Sequence, residues 1–92
     1  MLTIRQRIAD LLSHEDLSLA DLAARMGMPI KEVLPHLNHV QRSVRPPRRF
    51  LVQPAECESC GFIFKDRRKL NPPGRCPKCK SNRILEPRYR IR

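Results

Sequence analysis

The sequence predicts an α+β fold: a winged helix-turn-helix with a four-cysteine zinc ribbon inserted at the wing position. Three observations carry that prediction. Apolar residues recur with helical period through the first forty-odd positions and stop at Pro46-Pro47. Two strand-like segments, Arg49–Gln53 and Leu85–Ile91, flank everything that follows. All four cysteines lie between those segments, as two C-x2-C pairs fifteen residues apart.

Thr3 is placed to cap a first helix whose apolar positions Ile4, Ile8, Leu11 and Leu12 share one face. His14, Glu15 and Asp16 form a connector. Ser18 with Asp21 makes a capping box in which Asp replaces the usual Glu or Gln. The second helix buries Leu19, Leu22, Ala23 and Met26 and stops at Gly27. Pro29 suits the first turn of a third helix, where its missing N–H costs nothing. Ile30, Val33, Leu34, Leu37, Val40 and Val44 then keep the period. A short helix, a Gly-containing turn and a longer helix is the helix-turn-helix pattern. Pro35 removes the bond to the Lys31 carbonyl, so the third helix should kink or begin late.

From Arg42 to Arg49 the composition turns basic and proline-rich. Arg49–Gln53 is a strand ended by Pro54; at the far end Tyr89 and Ile91 alternate with Arg88, Arg90 and Arg92 at period two. Residues 1–53 therefore hold the helices and first wing strand, 54–84 the ribbon, and 85–92 the returning strand. The two strands should pair antiparallel across the whole insertion, bringing Pro54 and Pro87 together as a pinched neck. A chain of 92 residues buries only about 60–65% of its unfolded surface. The helices therefore need the hairpin's apolar face as a wall, and the ribbon needs a staple.

Cys57-Glu58-Ser59-Cys60 and Cys76-Pro77-Lys78-Cys79 supply that staple. Two residues between ligands let a tight turn aim both sulfurs at one ion, and two such knuckles complete the tetrahedron zinc accepts. Gly61 permits the turn after the first knuckle. With all four positions taken by Cys57, Cys60, Cys76 and Cys79, no coordination site stays open for catalysis: the metal is structural, one Zn2+ per chain. A redox C-x2-C would stand alone near a βαβ pattern, which is absent. Iron is the competitor, since paired knuckles also resemble rubredoxin; Lys80 in place of glycine and the basic surroundings weigh toward zinc. Phe62 and Phe64 alternate with Ile63 as a ribbon strand.

The chain carries nineteen Lys and Arg against nine Asp and Glu, a net +10. Residues 1–40 hold four basic and five acidic residues, net −1; residues 41–92 hold fifteen and four, net +11. Four thiolates and a dication lower the total from +10 to +8, and the excess stays in the second half. Such a balance points to a polyanionic partner. No apolar run approaches the roughly 18 residues of a membrane span, and charges interrupt the N-terminal stretch where a signal peptide would be apolar. The expected setting is the cytoplasm.

This arrangement resembles, over most of the chain, a small family of predicted prokaryotic transcriptional regulators, in which a helix-turn-helix domain is fused to a rubredoxin-like zinc ribbon. The resemblance rests on the run Pro54 to Lys65, on Pro73-Gly74-Arg75-Cys76-Pro77-Lys78-Cys79, and on Ile84-Leu85-Glu86-Pro87. It implies transcription regulation, with the ribbon replacing the wing of a winged helix.

The expected function is thus duplex-DNA binding by a transcriptional regulator, as a monomer or a homodimer. With its apolar stripe inward, the third helix would present Lys31, Glu32, His36, His39 and Arg42 to base edges. Phosphate affinity would come from Arg45, Arg48 and Arg49, with Lys65, Arg67, Arg68 and Lys69 of the ribbon loop. The alternative is an interaction module whose basic ribbon docks on an acidic protein or on the transcription machinery. No nucleophile–base pair and no phosphate-cradling glycine loop points to an enzyme. Only four aromatic residues leave no stacking platform for single-stranded nucleic acid.

Overall fold

The computed structural model describes residues 1–92. It is a mixed α+β chain of three helices, α1 (Ile4–His14), α2 (Leu19–Met26) and α3 (Ile30–Ser43), with short antiparallel strands. The strands are β1 (Leu17–Ser18), β2 (Phe50–Gln53), β3 (Glu56–Cys57), β4 (Ile84–Leu85) and β5 (Arg88–Ile91).

Both expected helix starts are capped. Thr3 Oγ1 accepts the Gln6 N–H at 3.1 Å, and Gln6 Oε1 accepts the Thr3 N–H at 2.9 Å. Ser18 and Asp21 make the same reciprocal pair, each bond 3.1 Å long. The Ser18 backbone N–H is the main reason the Asp21 carboxyl lies below its ordinary value. At the end of α2, Gly27 takes φ +64°, and the Met28 N–H reaches back to the Ala23 carbonyl at 3.1 Å. That left-handed stop turns the chain into α3 within three residues.

α3 begins at Ile30 and passes Pro35 to Ser43, so the expected late start does not occur. The Pro29 carbonyl accepts from Glu32 and Val33, which closes the first turn. The carbonyl orphaned by Pro35 belongs to exposed Lys31, where water can satisfy it. Val33, Leu37 and Val40 face the core, while Ile30, on the same stripe but at the first position of the helix, is 45% exposed. In α1, Ile8 and Leu12 are buried, but Ile4 in the first turn is not.

β5 is the middle strand of a three-stranded sheet, ordered β1-β5-β2. Phe50, Leu51, Val52 and Gln53 pair with Ile91, Arg90, Tyr89 and Arg88, the antiparallel match expected across the ribbon. Arg49 and Arg92 exchange two further backbone bonds of 2.7 and 2.9 Å. The connector after α1 supplies an unforeseen strand, with Leu17 opposite Tyr89 and Ser18 opposite Arg88.

The expected strand Leu85–Ile91 is in fact two. Ile84–Leu85 pairs with Glu56–Cys57 in the ribbon, and Pro87, which has no N–H to donate, separates it from β5. Residues 62–64 form only an isolated bridge, Glu56 to Ile63, with Phe62 and Phe64 edge-to-face at 5.0 Å.

Helices and sheet enclose a core of twelve residues. Tyr89 and Ile91 enter it from β5 as their alternation requires, and the Phe50 ring lies 6.0 Å from that of Tyr89. Val52 stays 42% exposed because β2 is an edge strand. The ribbon loop contributes one member, Leu70, whose carbonyl accepts the Tyr89 hydroxyl. Burial pushes the Tyr89 hydroxyl up to about 12, so it remains a donor at neutral pH. Pro54 and Pro87 line one narrow crevice with Tyr89, forming the neck between ribbon and sheet. No helix is long and apolar enough to cross a membrane.

Candidate metal centre and basic surface

The two cysteine knuckles repeat each other bond for bond. The Cys57 N–H donates to the Phe62 carbonyl and the Cys76 N–H to the Ser81 carbonyl, both at 2.8 Å. The Gly61 N–H closes the first turn on the Cys57 carbonyl and the Lys80 N–H closes the second on Cys76, both at 2.9 Å. Gly61 has φ +79° and Lys80 φ +67°. Lysine thus occupies the left-handed position that glycine fills in the first knuckle, at a cost of about 1 kcal/mol. The substitution leaves the knuckle geometry intact.

All four sulfurs lie within 4.8 Å of one another. Cys57 Sγ is 3.5 Å from Cys79 Sγ, and Cys60 Sγ is 3.6 Å from Cys76 Sγ. A tetrahedral zinc with bonds near 2.3 Å separates its sulfurs by about 3.8 Å, so the donor set fits that ion. Cys57 and Cys76 are buried, while Cys60 and Cys79 face solvent.

The electrostatics call for a cation. At Cys76 burial favours the thiol, but the N–H groups of Cys79 and Lys78 and the neighbouring thiols outweigh it, bringing the group down to about 7. Cys60 receives help from the Phe62 N–H, yet burial and the three crowding sulfurs push it up to about 12. Four thiolates cannot share this volume unless a positive ion neutralises them.

The basic residues fall into two sets. Arg25, Arg83, Arg88 and Arg90 pair with Glu15, Glu58, Asp21 and Asp16 respectively. The other fifteen Lys and Arg have no acidic partner. Every lysine and arginine expected to face nucleic acid belongs to that unpaired set.

The structure distributes these expected residues over three places. Lys31 and Arg42 are exposed and, eleven residues apart, share the stripe of α3 opposite Val33, Leu37 and Val40. His36 and His39 are half-buried on its flank, where His36 Nδ1 accepts from Arg5 Nε at 3.3 Å. Burial, reinforced by Arg5, Arg42 and His36, holds His39 below its ordinary value.

Arg45 and Arg48 curl around the turn after α3: Arg45 donates to the Arg42 and Val44 carbonyls, and Arg48 to Ser13 Oγ. Both line a cleft with Arg5 and His39, while Arg49 stands opposite Arg92 at the sheet's end. In the ribbon loop Lys65, Arg67, Arg68 and Lys69 are all exposed, and Arg67 and Lys69 also border the neck crevice. Arg67 also donates twice to the Asn71 carbonyl. Sequence reasoning missed Arg5, because its contact with α3 exists only once the helices pack.

The family described as PF0610-like, N-terminal, matches residues 3–52. The PF0610 rubredoxin-like zinc beta-ribbon domain matches residues 54–92, and the four cysteines are its site for one zinc ion. The solution NMR structure of protein PF0610 from Pyrococcus furiosus is similar over 97% of this chain and 88% of that one. The two share 36% sequence identity with a TM-score of 0.77. No curated protein matches the chain.

Proposed function

This chain belongs to the PF0610-like family, and on that footing we propose that it binds duplex DNA as a transcriptional regulator. One observation carries the reading. The fold neutralises four arginines with its own carboxylates and leaves all nine lysines and arginines nominated for nucleic acid without acidic partners.

The order α1-β1-α2-α3-β2-β5, with the sheet against the helices, supports a winged-helix reading in which the ribbon takes the place of the wing tip. α3 is then the recognition helix, and Lys31 and Arg42 on its outer stripe reach base edges. Arg45, Arg48 and Arg49 flank the end of that helix and contact phosphates, with Lys65 and Arg68 extending the footprint onto the ribbon. His36, held by Arg5, contributes at the margin. The role is binding, with no catalytic step assigned.

Gel shifts on duplex DNA across a salt series test the reading. Reversing Arg45, Arg48 and Arg49 to glutamate weakens binding to every sequence, and each lost phosphate contact lowers the logarithmic salt slope by about 0.9. Lys31→Ala instead alters discrimination between sequences. Absence of duplex affinity at low salt refutes the reading and moves the search to an acidic protein partner for Lys65 to Lys69.

A further inference from the structure

A cleft of about 440 Å³ runs between the first half of α1 and the last turns of α3, closed at one end by the turn after α3. Its floor is apolar: Ala9, Val40, Val44 and Ile91. Its rim carries Arg5, Arg45 and Arg48, and no acidic residue lines it. The volume lies within the range of small-molecule sites, about 300–1,000 Å³.

The three guanidinium groups are oriented by neutral acceptors. Arg5 donates to His36, Arg45 to the Arg42 and Val44 carbonyls, and Arg48 to Ser13. Those bonds fix the side chains without cancelling their charge, so like charges face one cleft uncompensated. Gln6 adds an amide whose oxygen is engaged by Thr3, leaving its NH2 as a donor.

We propose that this cleft binds a small organic anion with an apolar body. Its anionic group lies between the three arginines, and its hydrocarbon portion covers Val44 and Ile91. A DNA phosphate satisfies the rim but has nothing to place on the floor, which is why the occupant is an amphipathic small molecule. His39, whose basicity is lowered by burial and then by Arg5, also lines the cleft. The site shares Arg45 and Arg48 with the proposed DNA footprint but does not rest on that reading, since Arg5 and the apolar floor have no part in it.

The test uses the zinc-loaded full chain, labelled with nitrogen-15, and three probes. Octanoate carries charge and tail, octanol the tail alone, and inorganic phosphate the charge alone. Octanoate is expected to shift the amides of Gln6, Ala9, Val44 and Ile91 saturably, at half-saturation of about 1 mM. Octanol binds at least about tenfold more weakly, and phosphate leaves Ala9 and Ile91 unmoved. Arg5→Gln and, independently, Arg45→Gln each weaken octanoate about tenfold while the rest of the spectrum holds.

Equal binding of octanol and octanoate overturns the proposal, because the arginines then do nothing. So does octanoate binding that survives both substitutions, or shifts that fall on Lys65 to Lys69 instead. Shifts at the cleft that depend on protein concentration without any probe assign it to a second copy, which also overturns it.

Discussion

The helical region supplies nine of the twelve core residues, and the ribbon supplies one, Leu70. The helical region is also nearly neutral by charge, whereas the second half carries the whole positive excess. Burial of apolar surface holds the first region together; metal coordination and turn geometry hold the second. A short chain can therefore present many unpaired cations on an element too apolar-poor to fold by burial, provided an ion replaces the missing core.

The sharpest way to break this contrast is to remove the zinc. A strong chelator, or Cys76→Ser, should erase the dispersed amide signals of residues 54–87, because structural zinc in isolated fingers stabilises by about 10–16 kcal/mol. Helical circular dichroism should survive far better. Simultaneous loss of both signals would show that the helices have no stability of their own.

Leu70 is where the two modes meet, so its truncation comes next. Leu70→Ala in zinc-loaded protein should lower the stability of the helical region by about 2–4 kcal/mol in urea unfolding. Tyr89→Phe, which removes the hydroxyl bonded to the Leu70 carbonyl, should cost about 1–2 kcal/mol. An unchanged midpoint in both variants would mean that ribbon and core are merely tethered.

A smaller effect sharpens the comparison inside the ribbon. Lys80→Gly relieves the left-handed backbone of the second knuckle and should raise stability by about 0.5–1 kcal/mol, seen as slower zinc loss to a competing chelator. Gly61→Ala should act in the opposite direction, since its φ is +79° with open space around the added carbon.

The smallest effect is one of pH and belongs to the helices. His39 should titrate below 6.5 by NMR, because burial and then Arg5 favour its neutral form. The unfolded chain binds that proton more readily, so stability from this group is present above pH 6.5 and fades as pH falls toward the folded value. Arg5→Gln should move the titration upward.

Much of this was legible in the residues, and the reasons differ by element. The caps at Thr3 and Ser18, the stop at Gly27 and the cysteine spacing are local, so the chain states them outright. Alternation placed Tyr89 and Ile91 inward without any neighbour being known. β1 was illegible: Leu17–Ser18 has no pattern of its own and is a strand only because β5 passes beside it. Leu70 sits in a loop of charges and prolines, although it is the one large apolar residue between Phe64 and Cys76, a signal that could have found it. The same tertiary dependence hid the meeting of Arg5 with His36 and left Ile30 and Val52 less buried than their periods suggested.

The position of β5 between β1 and β2 has a consequence for how quickly the sheet can form. Pairing β2 with β5 closes a loop of thirty-four residues, Pro54 to Pro87, and pairing β1 with β5 closes one about twice as long. Such distant contacts are slow to find because chain entropy opposes each closure. Once zinc ties Cys57 to Cys79, the free path from Gln53 to Arg88 shrinks to about a dozen residues, and the closure cost of β2–β5 falls by about 1 kcal/mol. The ion acts as a folding clamp on a strand it never touches: refolding with zinc present should bring Tyr89 into the core several-fold faster than refolding without it.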